Sequence, residues 1–171
     1  MTEEEIKEKY PWATTGRKRG TQHRVITSLD LDSVKMEAHN RHLQEKYRLV
    51  EENEVRFEEI DCEDAEYVFV AYGSSARIAQ KSVQLARAEG LKVGLLRPIT
   101  LFPFPTKAIQ NLIDRGAKGF LAVELSCGQM IEDVKLAVNG RVKAEHFGRV
   151  GGIIHTPEEV LEAMKKQIIG E

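Results

Sequence analysis

The chain has 171 residues, 42% of them hydrophobic, which is enough for one domain with a proper core plus an appendage and too few for two large domains. Its 25 basic and 27 acidic residues are interspersed, so the net charge of −2 builds no field that would gather nucleic acid or anionic lipid. No apolar run approaches the roughly 20 residues that span a bilayer. The start, MTEEEIKEKY, lacks the basic-then-apolar pattern of a secretory signal, and Cys62 and Cys127 form no C-x-x-C pair. Together these features predict a cytoplasmic protein that binds neither nucleic acid nor membrane and carries no metal.

The composition changes near residue 60. Before it the chain is polar: TTGRKRGTQH, with Arg17, Lys18 and Arg19, reads as an exposed loop. Asp32 to about Asn53 predicts a helix whose apolar stripe is Met36, Leu43, Tyr47 and Val50, a face expected to pack on the rest of the chain. From Glu66 onward strands and helices alternate. EYVFVAYG predicts a strand buried on both faces, and Ala79, Val83 and Ala86 mark a helix that Gly90 ends. KVGLLRP predicts a second strand. LFPFP is held extended by its prolines, Pro105 opens a helix with Ile109, Leu112 and Ile113 on its buried face, and Gly116 closes it.

KGFLAVELS predicts a third strand, and Ser126 with Gln129 suggests a capping box for a helix carrying Ile131, Val134 and Val138, closed by Asn139-Gly140. KAEHFG is a weaker fourth strand. TPEEVLEAMKKQI opens with Thr156 as cap, Pro157 in the first turn and Glu159 at the capping-box position. The alternation predicts an α/β, doubly wound and mainly parallel sheet with an N-terminal helical extension. No repeat or low-complexity segment is present.

Ligands of such sheets gather at the carboxyl ends of the strands. Three groups of residues fall there: Gly73, Ser74 and Ser75; Arg97 with the LFPFP loop and its Phe104; and Glu124 through Gln129. The first has neither a dinucleotide nor a P-loop pattern, so Gly73 reads as a tight turn and Ser74 or Ser75 as a helix cap rather than a phosphate cradle. Arg97 suits either a carboxylate clamp or a pair with Glu124, which by itself would serve as a general base only with a raised pKa. Cys127 is either a thiolate activated at a helix start or a small half-buried residue, and His39 and His42 lack a third metal ligand. FGRVGG, with Arg149, reads as a flexible loop. Residues alone thus describe an α/β domain without a self-sufficient catalytic site.

The segments AYGSSARIAQKSVQLARAEGLKVGLLRPITLFPFP, KGFLAVELSCGQMIEDVKLAVNG and FGRVGG resemble the C-terminal part of the alpha subunit of 2-oxoacid:ferredoxin oxidoreductases. Including HNRHLQEKYRLVEENEVRFEE, the chain most resembles the 2-ketoisovalerate (3-methyl-2-oxobutanoate) type within that family. The domain type resembles the transketolase C-terminal domain, with Gly73-Ser74, Pro103, Glu124 and Gly128 at its recurring positions. The resemblance implies residues 1–60 as the loop and long helix that follow an absent thiamine pyrimidine-binding domain, and residues 61–171 as the α/β domain.

It also implies an enzyme that decarboxylates a 2-oxoacid oxidatively on thiamine diphosphate with Mg2+, transfers the acyl group to coenzyme A and reduces ferredoxin through iron–sulfur clusters. Those cofactors would belong to other domains or to beta, gamma and ferredoxin-like partner subunits, with a homodimer also open. The isolated chain is then expected to be inactive, with no catalytic residue of its own. Its strand-end residues Gly73, Ser74, Ser75, Arg97, Phe104, Glu124, Ser126, Gly128, Gln129 and Arg149 would form an interface. The alternative is a stand-alone regulatory module binding a small ligand or nucleotide at the same strand ends.

Overall fold

A computed structural model describes residues 1–10, 12, 20, 25 and 27–170, and the basic cluster Arg17 to Arg19 lies outside the described residues. The chain divides into two compact units, Met1–Glu45 and Lys46–Glu171. In the first, helix α1 (Glu3–Lys9) starts at a capping box in which Thr2 and Glu5 satisfy each other's backbone N–H groups. Helix α2 (Ser33–Asn53) begins where the Asp32 carboxylate accepts from the N–H groups of Val34 and Lys35, at 3.0 and 3.2 Å, and it ends inside the second unit. No residue of α2 is buried; Met36, Leu43 and Val50, seven residues apart, are its half-buried line.

The second unit is a five-stranded sheet in the order β1-β3-β2-β4-β5, made of β1 (Phe57–Ile60), β2 (Tyr67–Ala71), β3 (Val93–Pro98), β4 (Gly119–Glu124) and β5 (Lys143–Gly148). The last four are parallel, with Tyr67 opposite Val93 and Gly119, and Glu124 opposite Gly148. Strand β1 is an antiparallel edge, Glu58 opposite Arg97, that the polar run FEEI did not announce. Its exposure explains the omission: an edge strand facing water needs no apolar signature.

Because side chains alternate across a strand, each central strand feeds two cores. Phe69, Leu95, Leu121 and Val123 face helices α3 (Gly73–Ala88) and α6 (Pro157–Met164), which contribute Ala79, Val83, Val160 and Met164. Val68, Val70, Leu96 and Phe120 face α4 (Thr106–Asp114) and α5 (Met130–Val138), with Ile109, Leu112 and Val134. Burying the central strands on both faces is what their unbroken apolar runs foretold. A π-helical turn, Lys165–Ile169, follows α6.

The connection from β2 to β3 runs through α3 on one face, while those leaving β3 and β4 run through α4 and α5 on the other. The chain therefore reverses direction between β2 and β4, and the crevice between their carboxyl ends is the place where such sheets hold ligands or make contacts.

Candidate functional site

The β4 end is organised by Glu124. This residue is 2% exposed, and its carboxylate accepts four hydrogen bonds. Oε2 takes the hydroxyl of Ser126 at 3.1 Å and the N–H groups of Gln129 and Met130, each at 3.0 Å; Oε1 takes the N–H of Ile131 at 3.0 Å. A buried charge is tolerable only with such partners, and helix α5 gains an internal anion at its positive end. Glu124 is thus a structural acceptor whose oxygens are committed. The expected Ser126–Gln129 capping box is corrected: Gln129 makes no side-chain cap, and Ser126 is held sideways, donating to Glu124 and accepting from Gly128 N–H at 3.2 Å.

Of the two readings of Arg97, the pair with Glu124 is corrected. Strand β2 lies between β3 and β4, so Arg97 turns the other way and its Nε donates to Glu58 of β1 at 2.9 Å. At the β2 end, Gly73 is exposed at φ +57°, a conformation that favours glycine. It is already the first helical residue, after Tyr72, so Ser74 and Ser75 fall too late to cap and neither makes a cap bond. Ser74 faces solvent; Ser75 is buried, its Oγ 3.5 Å from His155 Nε2.

In the loop after β3, Pro103 and Pro105 are buried and Phe104 packs on the α4–α5 core, which pushes Leu101 and Phe102 outward. Within the same unit the ring of Tyr47, from the end of α2, meets Phe102 edge-on at 6.1 Å. At the β5 end, Arg149 pairs with Glu159, and its N–H donates to the Glu124 carbonyl at 3.2 Å. Gly148 is required by proximity: a Cβ there would stand 2.2 Å from the Ser126 carbonyl oxygen and 2.6 Å from the His146 ring. Cys127 is exposed rather than half-buried, because the Glu124 and Gly148 contacts fix the loop with that side chain outward.

Three residues were not singled out in the sequence: His146, whose Nε2 lies 3.9 Å from Glu124 Oε1; His155, buried against Phe147; and Glu58, the partner of Arg97. The strand register places His146 and Glu58, the segment between β5 and α6 places His155, and no local motif marks any of them. Burial, reinforced by Arg149 and His146, holds the His155 pKa below its usual value, against the opposing pull of Glu159. The Thr156 N–H and then Arg149 hold Glu159 below the usual carboxylate range. Asp133 is raised, first by burial and then by Glu132 and Glu124.

His39 and His42 are exposed on α2, and among the described residues no group of three His, Cys, Asp or Glu side chains is placed to hold a metal ion. What the edge does present is apolar surface. Tyr72 after β2, Leu101 and Phe102 after β3, Leu125 after β4, and Ile153 and Ile154 after β5 are all exposed. Every parallel strand contributes exposed apolar side chains at this end of the sheet.

Among the described residues no helix is long and apolar enough to cross a membrane. Residues 65–160 match the family model described as pyruvate:ferredoxin oxidoreductase core domain II. The chain is 49% identical to ketoisovalerate oxidoreductase subunit VorB of Methanothermobacter thermautotrophicus over 155 residues, 91% of this chain and 43% of that protein. It is 35% identical to 2-oxoglutarate synthase subunit KorA of the same organism over 104 residues, 61% of this chain and 27% of that one.

The solved 2-oxoglutarate:ferredoxin oxidoreductase from Magnetococcus marinus superposes with a TM-score of 0.68 at 22% identity, covering 81% of this chain and 24% of that one. A split-gene transketolase superposes with a TM-score of 0.56 at 16% identity, over 67% of this chain and 41% of that one. The chain therefore spans less than half the length of the VorB protein it matches, and the structural likenesses establish the α/β fold. By the family model, which covers more than half of its residues, the chain belongs to the pyruvate:ferredoxin oxidoreductase core domain II family.

Proposed function

We propose that this chain is the C-terminal, assembly-type domain of the alpha subunit of a 2-oxoacid:ferredoxin oxidoreductase, with 2-ketoisovalerate as its 2-oxoacid. The observation that carries this reading is the 49% identity to VorB across 91% of the chain. Residues 61–171 form the transketolase C-terminal-like domain, and residues 1–60 link it to a thiamine pyrimidine-binding domain. The complete enzyme converts the 2-oxoacid to an acyl-CoA in the cytoplasm and passes electrons to ferredoxin, with beta, gamma and ferredoxin-like subunits as partners.

Thiamine diphosphate with its Mg2+ does not fit the starts of α5 and α6. The N–H groups of α5 that would receive a diphosphate are taken by the Glu124 carboxylate, and those of α6 by Thr156 with Glu159. We therefore assign that cofactor, like the iron–sulfur clusters, to other domains or subunits and route no step through this domain. Its contribution is to present a fixed surface. Glu124, Ser126, Gly128 and Gln129 set the loop after β4, Arg97 fastens the β1 edge, Phe104 anchors the loop after β3, and Arg149 ties the β5 loop to α6. Gly73, Ser74 and Ser75 complete the surface as a turn at the β2 end.

Co-expression of this chain with the companion subunits, with and without the N-terminal half, tests the reading. Ferredoxin reduction dependent on both 2-ketoisovalerate and coenzyme A is expected only when the half is restored and the chain co-purifies. A chain that joins no subunit would overturn the reading in favour of the stand-alone ligand-binding module.

A further inference from the structure

The charges around the apolar strand-end patch are sorted by side. Where α3 and α4 start, flanking the β3 and β2 ends, Arg77 and Lys107 are exposed, and neither has an acidic partner within 4.0 Å among the described residues. Where α5 and α6 start, flanking the β4 and β5 ends, Glu132, Asp133 and Glu158 are exposed and likewise lack a basic partner among the described residues. The remaining charges nearby cancel. Arg97 pairs with Glu58 and Arg149 with Glu159, while the last turns of α2 carry Lys46 and Arg48 against Glu51 and Glu52.

Exposed apolar residues follow the sheet edge from the basic side to the acidic side: Phe102, Tyr72, Leu125 and Ile154. A basic half and an acidic half along one apolar row form a pattern complementary to itself after a half-turn about an axis that crosses the row. Two-fold contacts require this property, since every residue i that meets j must also have j meet i. A charge-neutral or one-signed partner would leave at least one side unmatched, and electrostatic complementarity is what selects partner and register. Resting on the assembly reading above, we infer that the strand-end face is a two-fold interface with a second copy of this chain, the Arg77–Lys107 side of each copy lying on the Glu132–Glu158 side of the other. The apolar row provides the area, and the charges set the orientation.

Sedimentation of the 171-residue chain tests this directly. The wild-type chain is expected to reach twice its monomer mass with rising concentration, and added salt should weaken the dimer. R77E/K107E and E132K/E158K should each weaken dimerisation by more than about tenfold, because symmetry counts every inverted charge twice. An equimolar mixture of the two variants should regain wild-type dimerisation, since each then faces its opposite. Far-UV circular dichroism checks that these exposed substitutions leave the fold intact. A wild-type chain that stays monomeric, charge variants that dimerise like wild type, or a mixture that does not recover would overturn the inference. The assembly reading is separated by F102S in the co-expressed complex. If the chain is monomeric but F102S still blocks subunit assembly, the face docks on a different partner; if F102S changes neither readout, the docking role of the face falls as well.

Discussion

Replacing Glu124 by alanine removes the acceptor of four donors at once. Ser126 and Gln129 are not buried, so water can replace the carboxylate there. Met130 and Ile131 are buried, and their N–H groups would be left without partners at about 1–3 kcal/mol each. Water entering the space left by the side chain recovers part of this, and removal of a buried charge returns some desolvation energy. The expected loss is about 2–5 kcal/mol, a large part of the roughly 5–15 kcal/mol that holds a domain folded. Urea unfolding should show the midpoint falling at unchanged slope. The glutamine variant sharpens the test. With its oxygen in the Oε2 position it keeps three bonds and turns an amide against the Ile131 N–H, for a loss of about 1–3 kcal/mol. Alanine within about 1 kcal/mol of wild type, or glutamine as harmful as alanine, would refute the assignment of Glu124 as a hydrogen-bond hub.

Three further outcomes follow from the same geometry. Gly148→Ala must move backbone, since its Cβ would meet the Ser126 carbonyl at 2.2 Å; we expect a lower melting temperature and faster alkylation of Cys127 as the loop loosens, and an unchanged rate would show the loop to be held otherwise. In the folded chain a thiol reagent should modify Cys127 and spare Cys62, which is 3% exposed and whose pKa burial pushes up to about 11; equal rates would contradict the buried position. His155 has a folded pKa below the ordinary 6.5, so the unfolded chain takes up its proton first and stability falls as pH drops below that value. His155→Asn should flatten this part of the pH dependence, measured as the difference in urea midpoint between pH 7 and pH 5, and an unchanged slope would assign the dependence to other groups.

Much of the α/β frame was legible because its signals are local. The runs YVFVA and GFLAVE are apolar at every position because both faces of a central strand are covered, and α3, α4 and α6 announce themselves by helical spacing and by caps such as Thr156 with Glu159. Left-handed Asn139 and Gly90 mark helix ends by the same short-range logic. The family resemblance was also carried in the sequence, by the order of segments that residues 65–160 reproduce.

The candidate surface was legible only as a set of strand ends. Which end neighbours which is decided by the order β1-β3-β2-β4-β5, and no property of Arg97 reveals that β2 separates it from Glu124 or that β1 offers Glu58 instead. The same is true of the α5 start. A nearby Ser126 and Gln129 suggested a local box, whereas the strand holds Glu124 in reach of three consecutive N–H groups and a buried carboxylate outcompetes a neutral hydroxyl for them. Sequence by itself determined the elements, since hydrophobic period and capping act within a few residues. The partners of charged side chains and the sorting of charge around the apolar patch were decided by tertiary structure, because they depend on which strands lie side by side.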